Sequence, residues 1–272
     1  MSFGPLVQPE WLLEHLGEPG LVVVDCRFVL GEPGAGERAW VAGHIPGAAA
    51  LDLDRDLASE PGPGGRHPLP TAERFQAGAR SAGIGSETRV VAYDESGEGG
   101  AARLWWLLRH FGHRLAAVLD GGLKAWRAAD GSLREGAERP AAGDFAARAA
   151  EGDTASAQQI ERGLAARALR LLDARAPERF RGETEAIDPV AGHIPGAASV
   201  PSATVAPAGR FAAPEALREQ LGDEPFVGYC GSGVTACTLL LAAELAGVEA
   251  RLYPGSWSEW SASGRPVATG PD

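Results

Sequence analysis

Short apolar runs alternate with longer amphipathic stretches along the chain. Leu21-Val-Val-Val-Asp25, Val90-Val-Ala-Tyr93, Leu169-Arg-Leu-Leu-Asp173 and Phe226-Val-Gly-Tyr229 are brief and rich in apolar side chains. Such runs predict strands buried on both faces, the mark of a parallel sheet. Val118-Leu119 predicts a further short strand. Between the strands, helices are expected at Glu10–Leu16 behind Pro9, around Thr71–Ala82, at Ala101–Phe111 and at Ala236–Ala246. Ser156-Ala-Gln-Gln159 has the form of a capping box at a helix start. Regular alternation of strand and helix predicts an α/β fold, a mainly parallel sheet with helices on both faces.

The pattern occurs twice. Asp25-Cys-Arg27 ends the first strand, and Asp173-Ala-Arg175 ends its counterpart. Gly43-His-Ile-Pro-Gly-Ala-Ala49 returns unchanged as Gly192 to Ala198. Val90–Tyr93 answers Phe226–Tyr229, and the Trp-containing Asp120–Trp126 answers Pro254–Trp260. A shared heptapeptide with three more matches in the same order marks a tandem duplication. Composition shifts over 130–153, which is rich in Gly, Ala, Arg and Glu and lacks an apolar period. We therefore expect a first domain at 1–132, a linker at 133–155 and a second domain at 156–272.

The two copies differ where chemistry is expected. After Tyr229 comes Cys230-Gly-Ser-Gly-Val-Thr235, a loop between a strand end and a helix start. Its two glycines let successive N–H groups point inward, and the helix dipole adds partial positive charge. Both effects favour a thiolate, so Gly231, Gly233, Val234 and Thr235 are expected to cradle an anion carried on Cys230 sulfur. A buried cysteine beside a simple turn is the plainer alternative. The first copy has Asp94 at the cysteine position. An aspartate is no sulfur nucleophile, so one copy keeps the chemistry and the other serves as scaffold.

Composition narrows the partners. With 272 residues and 44% hydrophobic content, the chain can bury two cores. A net charge of −11 argues against nucleic acid or an anionic membrane as partner. No apolar run is long enough to span a bilayer, and no secretory signal is seen at the start, so the expected place is the cytoplasm. Three cysteines (Cys26, Cys230 and Cys237) suit a reducing compartment, and their spacing offers no zinc site. No metal or organic cofactor is implied.

Together, the duplicated D-x-R strand end, the duplicated GHIPGA, the cysteine loop confined to copy two and the terminal GSWSEW resemble the rhodanese superfamily, specifically its two-domain sulfurtransferases. The resemblance implies a tandem pair of rhodanese-like domains and a persulfide on Cys230. It implies a small sulfur donor and an acceptor such as cyanide, a small thiol or thioredoxin; a monomer is expected of a two-domain unit that buries its own site. The loop Cys230–Thr235 reads like that of mercaptopyruvate sulfurtransferases. The thiosulfate enzymes of vertebrate type tend to have basic residues there.

Residue by residue, the resemblance implies that Ser232 joins a Cys-Ser-Asp relay. The acid is matched best by Asp54, with Asp52 and Asp56 close by. His67 matches a histidine near the site mouth, and Arg179 matches the arginine that grips the donor carboxylate. A guanidinium holds a carboxylate through two parallel hydrogen bonds. Where vertebrate mercaptopyruvate enzymes carry a second arginine nine residues on, this chain has Asp188. Arg27 and Arg175 recur in both copies and are read as structural. Cys237 is read as core, and Trp257 is the tryptophan placed to approach the site mouth. Two other functions stay open at this stage: a thiosulfate:cyanide sulfurtransferase and a non-catalytic binding module. A cysteine phosphatase would need C-x5-R, and the arginine position holds Ala236.

Overall fold

The computed structural model describes residues 3–271, so the expected domain ends at 1 and 272 lie outside it. In chain order the elements are β1 (Leu6–Val7), α1 (Pro9–His15), β2 (Leu21–Asp25), α2 (Ala35–Ala42), β3 (Ala49–Ala50), α3 (Ala72–Ser81), β4 (Arg89–Tyr93), α4 (Gly100–His110), β5 (Ala116–Leu119) and α5 (Gly122–Ala128). The second series is α6 (Ala157–Ala165), β6 (Arg170–Asp173), α7 (Pro177–Phe180), β7 (Ala198–Ser199), α8 (Ser202–Val205), α9 (Pro214–Leu221), β8 (Phe226–Tyr229), α10 (Ala236–Ala246), β9 (Ala250–Leu252) and α11 (Ser256–Ala262).

The chain divides into two compact units. One comprises residues 1–59, 70–150 and 208–210. The other comprises 60–69, 151–207 and 211–272. The ten residues 60–69 therefore come from the first half of the sequence but belong to the second unit. Sequence patterning does not forecast this, because it follows strands and helices and these residues form neither.

Unit one holds a five-stranded sheet in the order β1-β5-β4-β2-β3, and unit two a four-stranded sheet in the order β7-β6-β8-β9. All strand pairs are parallel. Val90, Val91, Ala92 and Tyr93 are all buried, as are Phe226, Val227, Gly228 and Tyr229. Successive strand residues point to opposite faces, so unbroken burial means that both faces of these strands are covered. In unit two one face packs Leu171, Val227 and Tyr229 against Phe180, Trp257 and Trp260.

The expected capping box forms: Ser156 Oγ accepts from Gln159 N–H, and Gln159 Oε1 accepts from Ser156 N–H. Residues 133–150 carry no helix or strand, yet they are packed along unit one. Phe145 is buried edge-on to Phe75, and Arg134 pairs with His44 through backbone hydrogen bonds. One large buried side chain and a series of backbone hydrogen bonds, among them Gly143 N–H to Arg80 O and Ala150 N–H to His110 O, hold this stretch without any periodicity.

The duplicated D-x-R motif has one structure in both units. Arg175 donates from Nε and Nη2 to Asp173 and from Nη2 to Gly192 O, and Tyr229 Oη accepts from Ile194 N–H. Arg27, Asp25, Gly43, Tyr93 and Ile45 repeat these contacts. The network ties the strand end to the GHIPGA turn. Arg175 is almost wholly buried, with its guanidinium 4.6 Å from the Trp257 ring centroid. Removing one partner of so buried a pair costs about 3–5 kcal/mol. Trp257 is fully buried, its indole N–H donating to Val190 O, so it is core. The Gly-Ser approach that suggested a mouth position instead turns the ring onto Arg175.

Candidate functional site

In unit two, β6 and β8 are central neighbours whose connections leave in opposite directions, β6 toward β7 and β8 toward β9. Open α/β sheets bind ligands beyond the carboxyl ends of the strands at such a switch point. Cys230 follows β8 directly, and Arg179 lies on α7 just past β6. The topology therefore brings together two candidates 51 positions apart in sequence.

Cys230 is 3% exposed. Gly233 N–H donates to its Sγ at 3.2 Å. Gly233 has φ +77°, and a Cβ there would fall 2.5 Å from Pro254 O, so no other residue fits without strain. Among the described residues no hydrogen-bond partner accompanies the N–H groups of Ser232, Val234 or Thr235. N–H groups without a protein partner beside the sulfur are available as donors to a ligand or solvent. Val234 is buried, and Thr235 is half-buried at the foot of α10. Cys237 is fully buried and donates its S–H to Gly233 O, as expected of a core cysteine.

Two segments grip the loop. Ser256, at the start of α11, adopts φ +53°. Its Oγ accepts from Cys230 N–H at 3.1 Å and donates to Tyr253 O at 2.9 Å. Trp257 N–H donates to Cys230 O, and Ser258 N–H to Gly231 O. The second segment is residues 65–67. Arg66 N–H donates to Ser258 Oγ, and His67 Nδ1 lies 2.7 Å from Ser232 Oγ. His67 and Ser232 are both buried. The structure thus joins Cys230, Ser232, His67 and Arg179 within one unit. Asp54 belongs to unit one, on an exposed turn whose backbone is held by Asp52 and Arg74.

Arg66 and Ser256 were not singled out from sequence. The usable signal for Ser256 was the glycine at the equivalent position of the first copy, Gly122, which in the structure has φ +59°. Arg66 had no local signal. Its Nη1 pairs with Asp188 Oδ1 at 2.7 Å, and Arg179 Nη2 approaches Asp188 Oδ2 at 3.2 Å. A Cβ on Gly231 would lie 3.2 Å from Arg66 Nη2 and 3.5 Å from Arg179 Nη1, so both guanidinium groups border the cysteine loop. Arg179 also binds Glu185 at 2.8 Å. Burial works to raise the Glu185 pKa, but the Arg179 hydrogen bond and the N–H groups of Asp188 and Ile187 outweigh it and hold the carboxyl below its usual range.

Among the described residues no cluster of His, Cys, Asp and Glu is arranged to hold a metal ion, and no helix is long and apolar enough to cross a membrane. What this geometry brings together is a buried cysteine sulfur, a Gly233 N–H bonded to it, a Ser–His pair beside it and two guanidinium groups bordering its loop.

Comparison with known proteins fits this picture. The model of the rhodanese-like domain matches twice, over residues 8–129 and 156–263. A protein of Pseudomonas aeruginosa described as a probable 3-mercaptopyruvate sulfurtransferase is 44% identical over 99% of this chain and all of that one. A Mycobacterium tuberculosis protein described as the putative thiosulfate sulfurtransferase SseB is 43% identical over 93% of this chain and 92% of its own length. Among solved structures, SseA from Escherichia coli, a 3-mercaptopyruvate sulfotransferase with the rhodanese fold, superposes with a TM-score of 0.82. It is 32% identical and covers 94% of this chain and 99% of its own.

Proposed function

The chain belongs to the rhodanese-like family and is a sulfurtransferase, and on that premise we propose that it takes sulfur from 3-mercaptopyruvate through a persulfide on Cys230. The observation that carries this reading is the uncharged loop Cys230–Thr235, with Gly233 N–H on Sγ and two guanidinium groups at its edge. The Cys230 thiolate attacks the donor sulfur, and the donor C–S bond breaks. Its electron pair leaves on the carbon fragment as an enolate, which gains a proton to give pyruvate. The outer persulfide sulfur then passes to cyanide, a small thiol or thioredoxin, and the thiolate returns. The two half-reactions predict ping-pong kinetics.

Arg179 holds the donor carboxylate. His67 and Ser232, in hydrogen-bond contact, move the proton that the enolate needs. Asp54 is the acid that the family resemblance assigns to the relay. The enzyme works as a monomer in the cytoplasm. Unit two holds Cys230, Ser232, His67 and Arg179, and the three free cysteines are buried, which suits a reducing compartment.

Thiosulfate is the second reading, favoured by the description of the mycobacterial relative. Steady-state sulfur transfer to cyanide with both donors in parallel separates the two. A kcat/KM at least about tenfold higher for 3-mercaptopyruvate is expected. A preference for thiosulfate overturns the donor assignment. In the same assay Ser232→Ala and His67→Gln each lower kcat by about 10²-fold. Unchanged kcat in both removes them from proton transfer.

A further inference from the structure

Asp188 stands where it opposes the task of its neighbours. Its side chain is 3% exposed, and its two oxygens are divided between Arg66 Nη1 and Arg179 Nη2. The remaining edges of both guanidinium groups, Arg66 Nη2 and Arg179 Nη1, border Gly231 beside the nucleophile. Arg66 Nε is buried without a hydrogen-bond partner. The donor's anionic group therefore meets two cations that already share one carboxylate behind them. Glu185 sits further back, bound to Arg179 and 3.7 Å from Arg175.

Within the turn that carries Asp188, the backbone N–H groups are bonded by Glu185 and not by the Asp188 carboxylate. Glu185 Oε1 accepts from Ile187 N–H and Asp188 N–H, and so shapes the turn. The Asp188 carboxylate is engaged instead by the two guanidinium groups.

Resting on the sulfurtransferase reading above, we infer that Asp188 is a fixed counter-charge that sets the donor's charge: it reduces the pull of the Arg66–Arg179 pair so that a singly charged donor is held and a doubly charged one is disfavoured. Arg66 is the second guanidinium of the donor site, reaching it from 122 positions away in sequence. Coulomb energy is proportional to the ligand's charge. A fixed charge that changes monoanion affinity by a factor f therefore changes dianion affinity by about f squared. This follows from charge alone, whereas a merely structural role for Asp188 moves both ligands alike.

The test measures kcat/KM of Asp188→Asn with 3-mercaptopyruvate, a monoanion carboxylate, and with thiosulfate, a dianion. The neutral variant is expected to gain on thiosulfate at least about fivefold more than on mercaptopyruvate, while Asp188→Glu keeps the parent ratio. Asp188→Ala must give the same ordering, which guards against an Asn that fails to fold. Equal changes for the two donors, or none, overturn the inference.

A second arm needs no turnover. Sulfate and pyruvate are titrated as protectants of Cys230 against iodoacetamide, with the Cys230 peptide followed by mass spectrometry. Asp188→Asn is expected to lower the protecting concentration of sulfate by roughly the square of the factor for pyruvate. Absence of transfer from both donors in the parent enzyme, with this ordering intact, refutes the proposed reaction and leaves Asp188 in its role. Normal transfer with the ordering absent does the reverse.

Discussion

The loops after β4 and β8 are two uses of one geometry. In both, the N–H three residues after the first loop residue turns back on that residue's side chain. Gly97 N–H donates to Asp94 Oδ1 at 2.8 Å, and Gly233 N–H donates to Cys230 Sγ at 3.2 Å. In the first loop, Gly99 and Ala101 N–H groups complete the hold on Asp94 Oδ2 at 3.1 and 3.2 Å. That cradle is filled by the chain's own carboxylate. In the second, one sulfur occupies the centre, and neighbouring N–H groups are left for a guest.

The comparison also shows that a cradle alone does not secure an anion. Burial, followed by repulsion from Glu98, raises the pKa of Asp94 to about 6, and its three N–H bonds fall short of reversing this. Around the second loop the groups nearest Gly231 are cationic, Arg66 and Arg179, each paired in turn with Asp188. The fold supplies the cradle, and the surrounding side chains decide what it holds.

The largest expected effect comes from making the second loop resemble the first. Cys230→Asp removes the nucleophile and is expected to cut thiocyanate formation by about 10⁵-fold or more. The cooperative melt should persist, because the first loop accommodates an aspartate at this point. Residual transfer above about 1% of the parent rate would mean that sulfur moves by another route.

Gly233→Ala tests the turn itself. With φ +77° and Pro254 O in the way, the new methyl group must displace the loop. Stability is expected to fall by about 2–3 kcal/mol in denaturant titration, with activity down by about 10²-fold or more. A normal rate would show that the Gly233 N–H is dispensable.

Ser256→Gly sharpens the contrast more gently. Glycine keeps the left-handed conformation, as Gly122 does in unit one, but loses the oxygen that receives Cys230 N–H. A loss of about 1 kcal/mol in stability and a several-fold fall in kcat are expected. Ser256→Ala, which keeps a Cβ at φ +53°, should be worse than glycine in thermal melts.

The smallest effect on activity is expected in unit one, where the change is confined to stability at acid pH. Asp94 binds its proton more tightly when folded, so its contribution to stability is complete below about pH 3.8, its ordinary value. That contribution is lost as pH rises toward about 6. Asp94→Asn should flatten this slope, which amounts to at most a few kcal/mol, while sulfur transfer at neutral pH stays unchanged. An unaltered slope would place the titration elsewhere.

Sequence by itself determined what is local. Alternating apolar runs gave the strands, and the repeated D-x-R and GHIPGA gave the duplication. Cys230 against Asp94 indicated which copy carries the chemistry. The strands and the duplication are legible along the chain because strand burial, turn geometry and helix capping depend on residues a few positions apart. Tertiary structure alone decided the environment of the sulfur. It moved residues 60–69 into unit two, joined His67 to Ser232 across 165 positions, and set Asp188 between Arg66 and Arg179. Asp188 stands where the family resemblance led us to expect a second arginine, and folding brings another guanidinium, that of Arg66, to the edge of the cysteine loop. Hydrogen bonds and ion pairs act over a few ångströms in space and leave no period along the chain, so folding is what brings such partners into range.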